Sequence, residues 1–200
     1  MKLVSAQNIT YSINDNKLFH NLSFAINSGE GLHIKGGNGS GKSTLLRIIL
    51  GITSPSKGLI ERFNPDLNTS YLGHKNAIKN YLTPIENLEL LFNDAELKLA
   101  YEWLLKFGLF HVQDELAASL SFGQQKKLAL IRVLAKSSEL IVLDEPFVGL
   151  DQATADQLSH FLNTKLSEGV SLIFTSHINP MIDCKVLDLE AENALSLIHI

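Results

Sequence analysis

The stretch Gly36-Gly37-Asn38-Gly39-Ser40-Gly41-Lys42-Ser43 constrains this chain more than any other. It follows the apolar run Gly31 to Ile34 and precedes Leu45, Leu46, Ile49 and Leu50, which share one face of a helix that Gly51 ends. Four glycines in eight residues are entropically costly to order, so the backbone here must approach something that side chains would obstruct. The order strand, glycine loop, helix fits GxxxxGK[ST]. In that pattern successive backbone N–H groups curl around a polyphosphate, Lys42 reaches its terminal phosphates, and the Ser43 hydroxyl can ligate Mg²⁺. Thr44 continues the same helix start, whose dipole favours an anion.

Elsewhere the apolar pattern alternates between the two periods of regular structure. Leu22, Phe24 and Ile26 alternate as in a half-buried strand, and residues 27–30 turn the chain into the strand before the loop. Residues 53–70, with Pro55, Gly58 and Pro65, read as loops or short edge strands. From Thr83-Pro84 to Phe107 the spacing is helical throughout, with Gly108 closing the last turn. A helix from about Ser121 to Ala135 leads into the unbroken run Leu140 to Leu143, a helix from Gln152 to Leu166 leads into residues 170–177, and both runs suit buried parallel strands. Such alternation predicts an α/β core with a parallel sheet.

The end of the first of those runs supplies a second set of chemical groups. Asp144, closing a buried strand, is placed to hold Mg²⁺ through water beside the glycine loop. Its neighbour Glu145 is the candidate general base, able to orient and deprotonate a water attacking a metal-bound phosphate. Leu120-Ser121-Phe122-Gly123-Gln124 opens a helix with a hydroxyl and free amides, which by physics alone is a capped helix start that could face a second anion.

Taken together, these segments resemble the ATP-binding cassette (ABC) ATPases: the glycine loop, a signature of the LSGGQ type at 120–124, the run Leu140 to Pro146, Gly149-Leu150-Asp151 and the lone His177 stand in that family's order. The resemblance extends over about residues 3–190. It implies a P-loop NTPase of ABC ATPase type: one nucleotide-binding domain over 1–200, a parallel-sheet core, an antiparallel β edge and a small helical lobe over about 76–135. It implies ATP and Mg²⁺ as cofactors and a split active site, in which two copies sandwich two ATP molecules head to tail. On that template Ser121, Gly123 and Gln124 act on the nucleotide held by Gly36 to Thr44 of the other copy. Asp151 communicates across the dimer, His177 contacts the γ-phosphate, and Tyr11, 25 residues before Gly36, stacks on adenine. Two positions depart from the pattern. Phe122 replaces the first signature glycine, and no glutamine occurs between residues 70 and 90, so Lys75 stands where one is expected. Lys126 and Lys127 read as a solvated helix face.

The helical lobe is short, with 31 residues between Leu88 and Leu120. With Tyr71 to His74, Ile78-Lys79, Leu82-Thr83 and Glu86 to Leu88, it resembles the ATP-binding subunits of haem exporters that serve cytochrome c maturation. That resemblance implies an ATP-hydrolysing subunit on the cytoplasmic side of the inner membrane, docked to integral membrane permease subunits near Lys75 to Leu82. Another small exporter, an ABC ATPase acting on nucleic acid, and a nucleotide switch without turnover remain alternatives.

Composition agrees with this reading. A formal charge of −4 does not suggest affinity built on nucleic-acid phosphates, and the lone Cys184 permits no internal disulfide framework. No apolar run approaches the roughly 20 residues that span a bilayer, so membrane contact is expected to be indirect.

Overall fold

The structure is a computed structural model that describes residues 1–13, 16–64 and 66–190; the tail 192–200 lies outside the described residues. Two sheets organise it. The first is antiparallel, ordered β2-β1-β4, from β1 (Lys2–Ile13), β2 (Asn16–Asn27) and β4 (Lys57–Arg62). Val4 pairs with Ile26, Ala6 with Phe24 and Ile9 with Leu22, which puts the alternating apolar set of β2 onto the buried side of β1. The strand expected around Leu22 to Ile26 is thus the end of a long ribbon that begins at Asn16.

The second sheet is parallel, ordered β5-β6-β7-β3-β8, from β3 (Gly31–Lys35), β5 (Thr69–Leu72), β6 (Leu140–Leu143), β7 (Ser171–Thr175) and β8 (Lys185–Asp188). Its centre consists of the three runs the sequence marks as buried parallel strands. Every side chain of β6 and β7 is buried, as a sheet covered on both faces requires. Ile141, Leu143, Leu172 and Phe174 face one apolar cluster together with the helical residues Leu104, Leu128 and Leu158. Leu140, Val142 and Ile173 face the other, together with Ile9, Leu22, Leu45 and Leu46. The central strands therefore join a helix-covered core to a ribbon-covered one.

Helix α1 (Lys42–Ile49) belongs to the ribbon-covered core, with Leu45, Leu46 and Ile48 fully buried. The helical stretch expected without a break from Thr83 to Phe107 is instead two helices, α2 (Pro84–Glu89) and α3 (Asp94–Lys106). The break has a local cause: the Asn93 side chain accepts from the Ala95 and Glu96 amides, while Glu96 accepts from the Asn93 amide. This reciprocal cap starts a new helix where apolar periodicity alone shows none. Helices α4 (Phe122–Leu134) and α5 (Gln152–Ser167) complete the helix-covered side.

Candidate functional site

At its amino end α1 is left open. Its N-cap is Gly41, at φ 98°, no side chain caps the first turn, and that turn holds no acidic residue. A side chain at Gly41 would also come within about 3.1 Å of Leu18 and Phe19, so backbone angle and close packing both call for glycine. The amides that start the helix are thereby left to an anionic ligand. Lys42 is buried, and its ammonium donates to the carbonyls of Gly36 (2.7 Å) and Gly37 (3.0 Å), which draws the loop around it. The Gly37 amide donates to Glu190 Oε1 at 2.7 Å.

The carboxyl ends of the central strands meet this loop. Asp144, just past β6, is 1% exposed; its Oδ1 accepts from Thr175 Oγ1 at 2.8 Å, while Oδ2 is buried with no hydrogen-bond partner among the described residues. Glu145 follows at φ 48°, a costly angle for a residue with a side chain, and its amide donates to the same Thr175 hydroxyl at 2.8 Å. Thr175 therefore fixes the Asp144 rotamer and the Glu145 backbone together. Sequence reasoning passed over Thr175; the available signal was a threonine closing an otherwise apolar strand.

Glu145 Oε1 lies 3.1 Å from His177 Nε2 and 3.6 Å from Lys42 Nζ, yet it is buried with no aligned donor. His177 Nε2 also stands 3.4 Å from Lys42 Nζ. It can accept from lysine or donate toward the carboxylate but not both, and the shorter contact favours the carboxylate. A cleft of about 420 Å³ opens over these groups, lined by Asn38 to Thr44, Glu145, His177, His74, Ile13 and Leu18. Its oxygen groups, Ser43 Oγ and the unpartnered oxygens of Asp144 and Glu145, are of the hard kind that suits Mg²⁺.

Several expected site residues stand apart from this cleft. The Tyr11 ring packs on Phe19 at 6.2 Å between centroids, and Ile13 and Leu18 line the wall instead. Lys75 lines a different cavity, a groove beside β5, whereas its neighbour His74 lines the cleft. Ser121, Gly123 and Gln124 open α4, and none of them lines the cleft. There Ser121 Oγ accepts from the Gln124 amide at 3.2 Å and Gln124 Oε1 accepts from the Ser121 amide at 2.8 Å. A side chain on Gly123 would come within 2.7 Å of the Gly149 carbonyl, so close packing accounts for this glycine. The exposed Phe122 ring lies over Gly149.

Asp151 caps α5 through the Thr154 amide (2.9 Å) and pairs with Lys127 at 2.7 Å; the Lys127 contact and then Thr154 hold its carboxyl well below the usual range. The expectation of a solvated Lys126-Lys127 face fails at Lys126, which is 3% exposed. Burial pushes its ammonium pKa down, opposed by the charges of Asp144 and Glu145. The helical period turns that residue beneath the strand ends.

A family model described as ABC transporter matches residues 19–148. The chain belongs to the ABC transporter family. Among curated relatives it is similar to the cytochrome c biogenesis ATP-binding export protein CcmA of Idiomarina loihiensis, 37% identical over 171 residues, 80% of this chain and 78% of that one. CcmA of Escherichia coli is 33% identical over 186 residues, 88% of this chain and 90% of that one. Among solved structures, a dimeric ATP-binding cassette in a post-hydrolysis state, bound to ADP and phosphate, superposes with a TM-score of 0.74 at 26% identity, covering 88% of each chain. A dimeric bacterial ABC transporter cassette shares the fold with a TM-score of 0.76 at 24% identity, covering 94% of each.

Proposed function

We propose that this chain binds ATP with Mg²⁺ in the cleft above Lys42 and hydrolyses it as the ATP-binding subunit of an export complex for cytochrome c biogenesis, with haem handling as the work it drives. In this reading residues 1–200 form one nucleotide-binding domain with 76–135 as its helical lobe. The observation that carries the chemistry is Glu145 Oε1, a buried carboxylate oxygen with two cationic neighbours and no aligned donor. Its lone pair is available to a water.

The backbone amides at 39–44 and Lys42 hold the phosphates. Ser43 and Asp144 would hold Mg²⁺, which supplies neutralisation of phosphate charge when bound. Glu145 takes the proton of the attacking water as its oxygen adds to the γ-phosphorus; the bond to the β–γ bridging oxygen breaks, leaving ADP and phosphate. His177 orders the γ-phosphate from beside Glu145. Ser121 and Gly123 of a second copy close the cleft, Asp151 links the two copies, and Tyr11 remains the candidate for the adenine.

The groove beside β5, about 510 Å³, is the proposed seat of an integral membrane subunit at the cytoplasmic face of the inner membrane. Arg47, Lys75, Arg132 and Lys136 line it, no carboxylate does, and Arg132 Nε is buried there without an acceptor. Leu91, Phe92 and Val133 add apolar surface. The segment that fits carries carboxylates beside apolar side chains. Among the described residues no helix is long and apolar enough to cross a membrane, so a peripheral position through this partner is consistent.

Glu145→Gln tests the reading. Turnover should fall by a factor of about 10²–10⁴ while ATP stays bound in a stable dimer. Phosphate release by this variant at the unsubstituted rate, alone and with copurified membrane subunits, would remove Glu145 from the role of base.

A further inference from the structure

The nucleotide cleft and the cationic groove share one residue among those that line them, His74. Its position follows from sheet register. Leu72 of β5 pairs with Leu143 of β6, and Leu143 pairs with Phe174 of β7. His74 and Glu145 therefore stand two residues beyond paired positions on adjacent parallel strands, and His177 stands three beyond Phe174 on the next. Because β6 lies between β5 and β7, the two histidines flank Glu145 from opposite sides. His177 is the one that approaches Oε1.

The segment carrying His74 is held at both ends. The Leu72 carbonyl accepts from the Asp144 amide at 2.8 Å, which ties its start to the acid of the strand end. At the far end, Arg132 of α4 donates to the carbonyls of Asn76 (3.1 Å) and Ala77 (2.6 Å). Between these anchors His74 and Lys75 are exposed, Lys75 only toward the groove and His74 toward both cavities.

We infer that His74, and not Lys75, transmits occupancy of the groove to the hydrolytic centre, acting as a positioning residue on the flank of Glu145 opposite His177. This rests on the proposed seating of a membrane subunit in that groove. An imidazole suits the task because one ring nitrogen donates while the other accepts, so a single short side chain can order a water or phosphate oxygen in the cleft and feel a shift of the loop that carries it. An ammonium at position 75 offers donors only, and it faces the other cavity.

The test uses the chain purified in detergent with its copurifying membrane subunits, with ATPase rates compared against the chain alone. In His74→Ala and His74→Phe the stimulation by the membrane subunits should fall by about tenfold, as a loss of kcat with little change in KM for ATP. His74→Gln, which keeps a donor and an acceptor, should recover most of it. Lys75→Ala should reduce stimulation less than His74→Ala does, and excess membrane subunit should restore it. Full stimulation in His74→Phe, or collapse in Lys75→Ala with His74→Ala unaffected, would overturn the inference. Absence of ATP hydrolysis by the unsubstituted complex would instead overturn the proposed function, so the two failures are distinguishable.

Discussion

Two helices in this chain offer their amino ends to a phosphate, and they are built in opposite ways. Helix α1 starts at Gly41 with no side-chain cap, while α4 starts at Ser121 with a reciprocal cap in which Ser121 and Gln124 satisfy each other's amides. The first end depends on a ligand to meet its donors; the second is already content in the isolated chain. The difference suits a split site. The half that holds the nucleotide is shaped in advance by one chain, and the half that arrives from another copy must remain stable when no nucleotide faces it. Ser121 can serve both purposes, because its oxygen accepts from the Gln124 amide while its hydroxyl proton remains free to donate.

The sharpest way to break this comparison is to disturb the prepared half where no ligand touches it. In Thr175→Val the shape is retained but the hydroxyl that joins Asp144 to the Glu145 amide is lost. Two buried groups are left unpaired, each at a cost of about 1–3 kcal/mol. Urea unfolding should show that loss. ATP turnover should fall further than nucleotide affinity, and Thr175→Ser should restore both. If Thr175→Val turns over ATP as the unsubstituted chain does, the strand ends are not held by this hydroxyl, and preparation by one chain is the wrong account.

The contrast between the two halves also explains what could be read in advance. The glycine loop, the Asp144-Glu145 pair and the three central strands were legible because each depends on local order: a strand, then a turn, then a helix. The break at Asn93 was hidden, since apolar spacing continues across it and only the reciprocal Asn93-Glu96 bonds interrupt the helix. Strands β5 and β8 are short edge pieces whose pairing is set by the sheet and not by their own residues. At the site, Thr175 and His74 were missed for a shared reason: each gains its place from register between strands distant in sequence. Lys126 was misread because its burial depends on what covers α4, which its neighbours in sequence do not reveal.

A smaller effect comes from the capped half. Ser121→Ala removes the acceptor for the Gln124 amide and should cost about 0.5–2 kcal/mol in urea unfolding. Because Ser121 lies away from the cleft of its own chain, ATP affinity of the separate chain should stay within about twofold, a shift of some 0.4 kcal/mol, while turnover by the dimer falls. A large loss of affinity in the monomer would mean that the two halves are not divided between copies.

The smallest effect separates the halves by pH. His33 lies on β3 beneath the glycine loop, 1% exposed, stacked on Phe174 at 4.5 Å, with Nε2 donating to the Ser176 carbonyl at 3.2 Å, next to His177. Burial pushes its pKa below the ordinary value, only partly offset by that hydrogen bond. The unfolded chain takes a proton at this residue near pH 6.5, and the folded chain resists it. The stabilising contribution is therefore complete above about pH 6.5 and declines as pH falls, until the folded imidazole is protonated as well. Beside the capped half, Asp151 is held in the ionised form to far lower pH by Lys127 and Thr154, so it adds no slope in this window. Urea midpoints measured between pH 7 and pH 5 should decline in the unsubstituted chain and decline less in His33→Phe. Equal slopes in the two would locate the acid sensitivity away from the strand that carries the glycine loop.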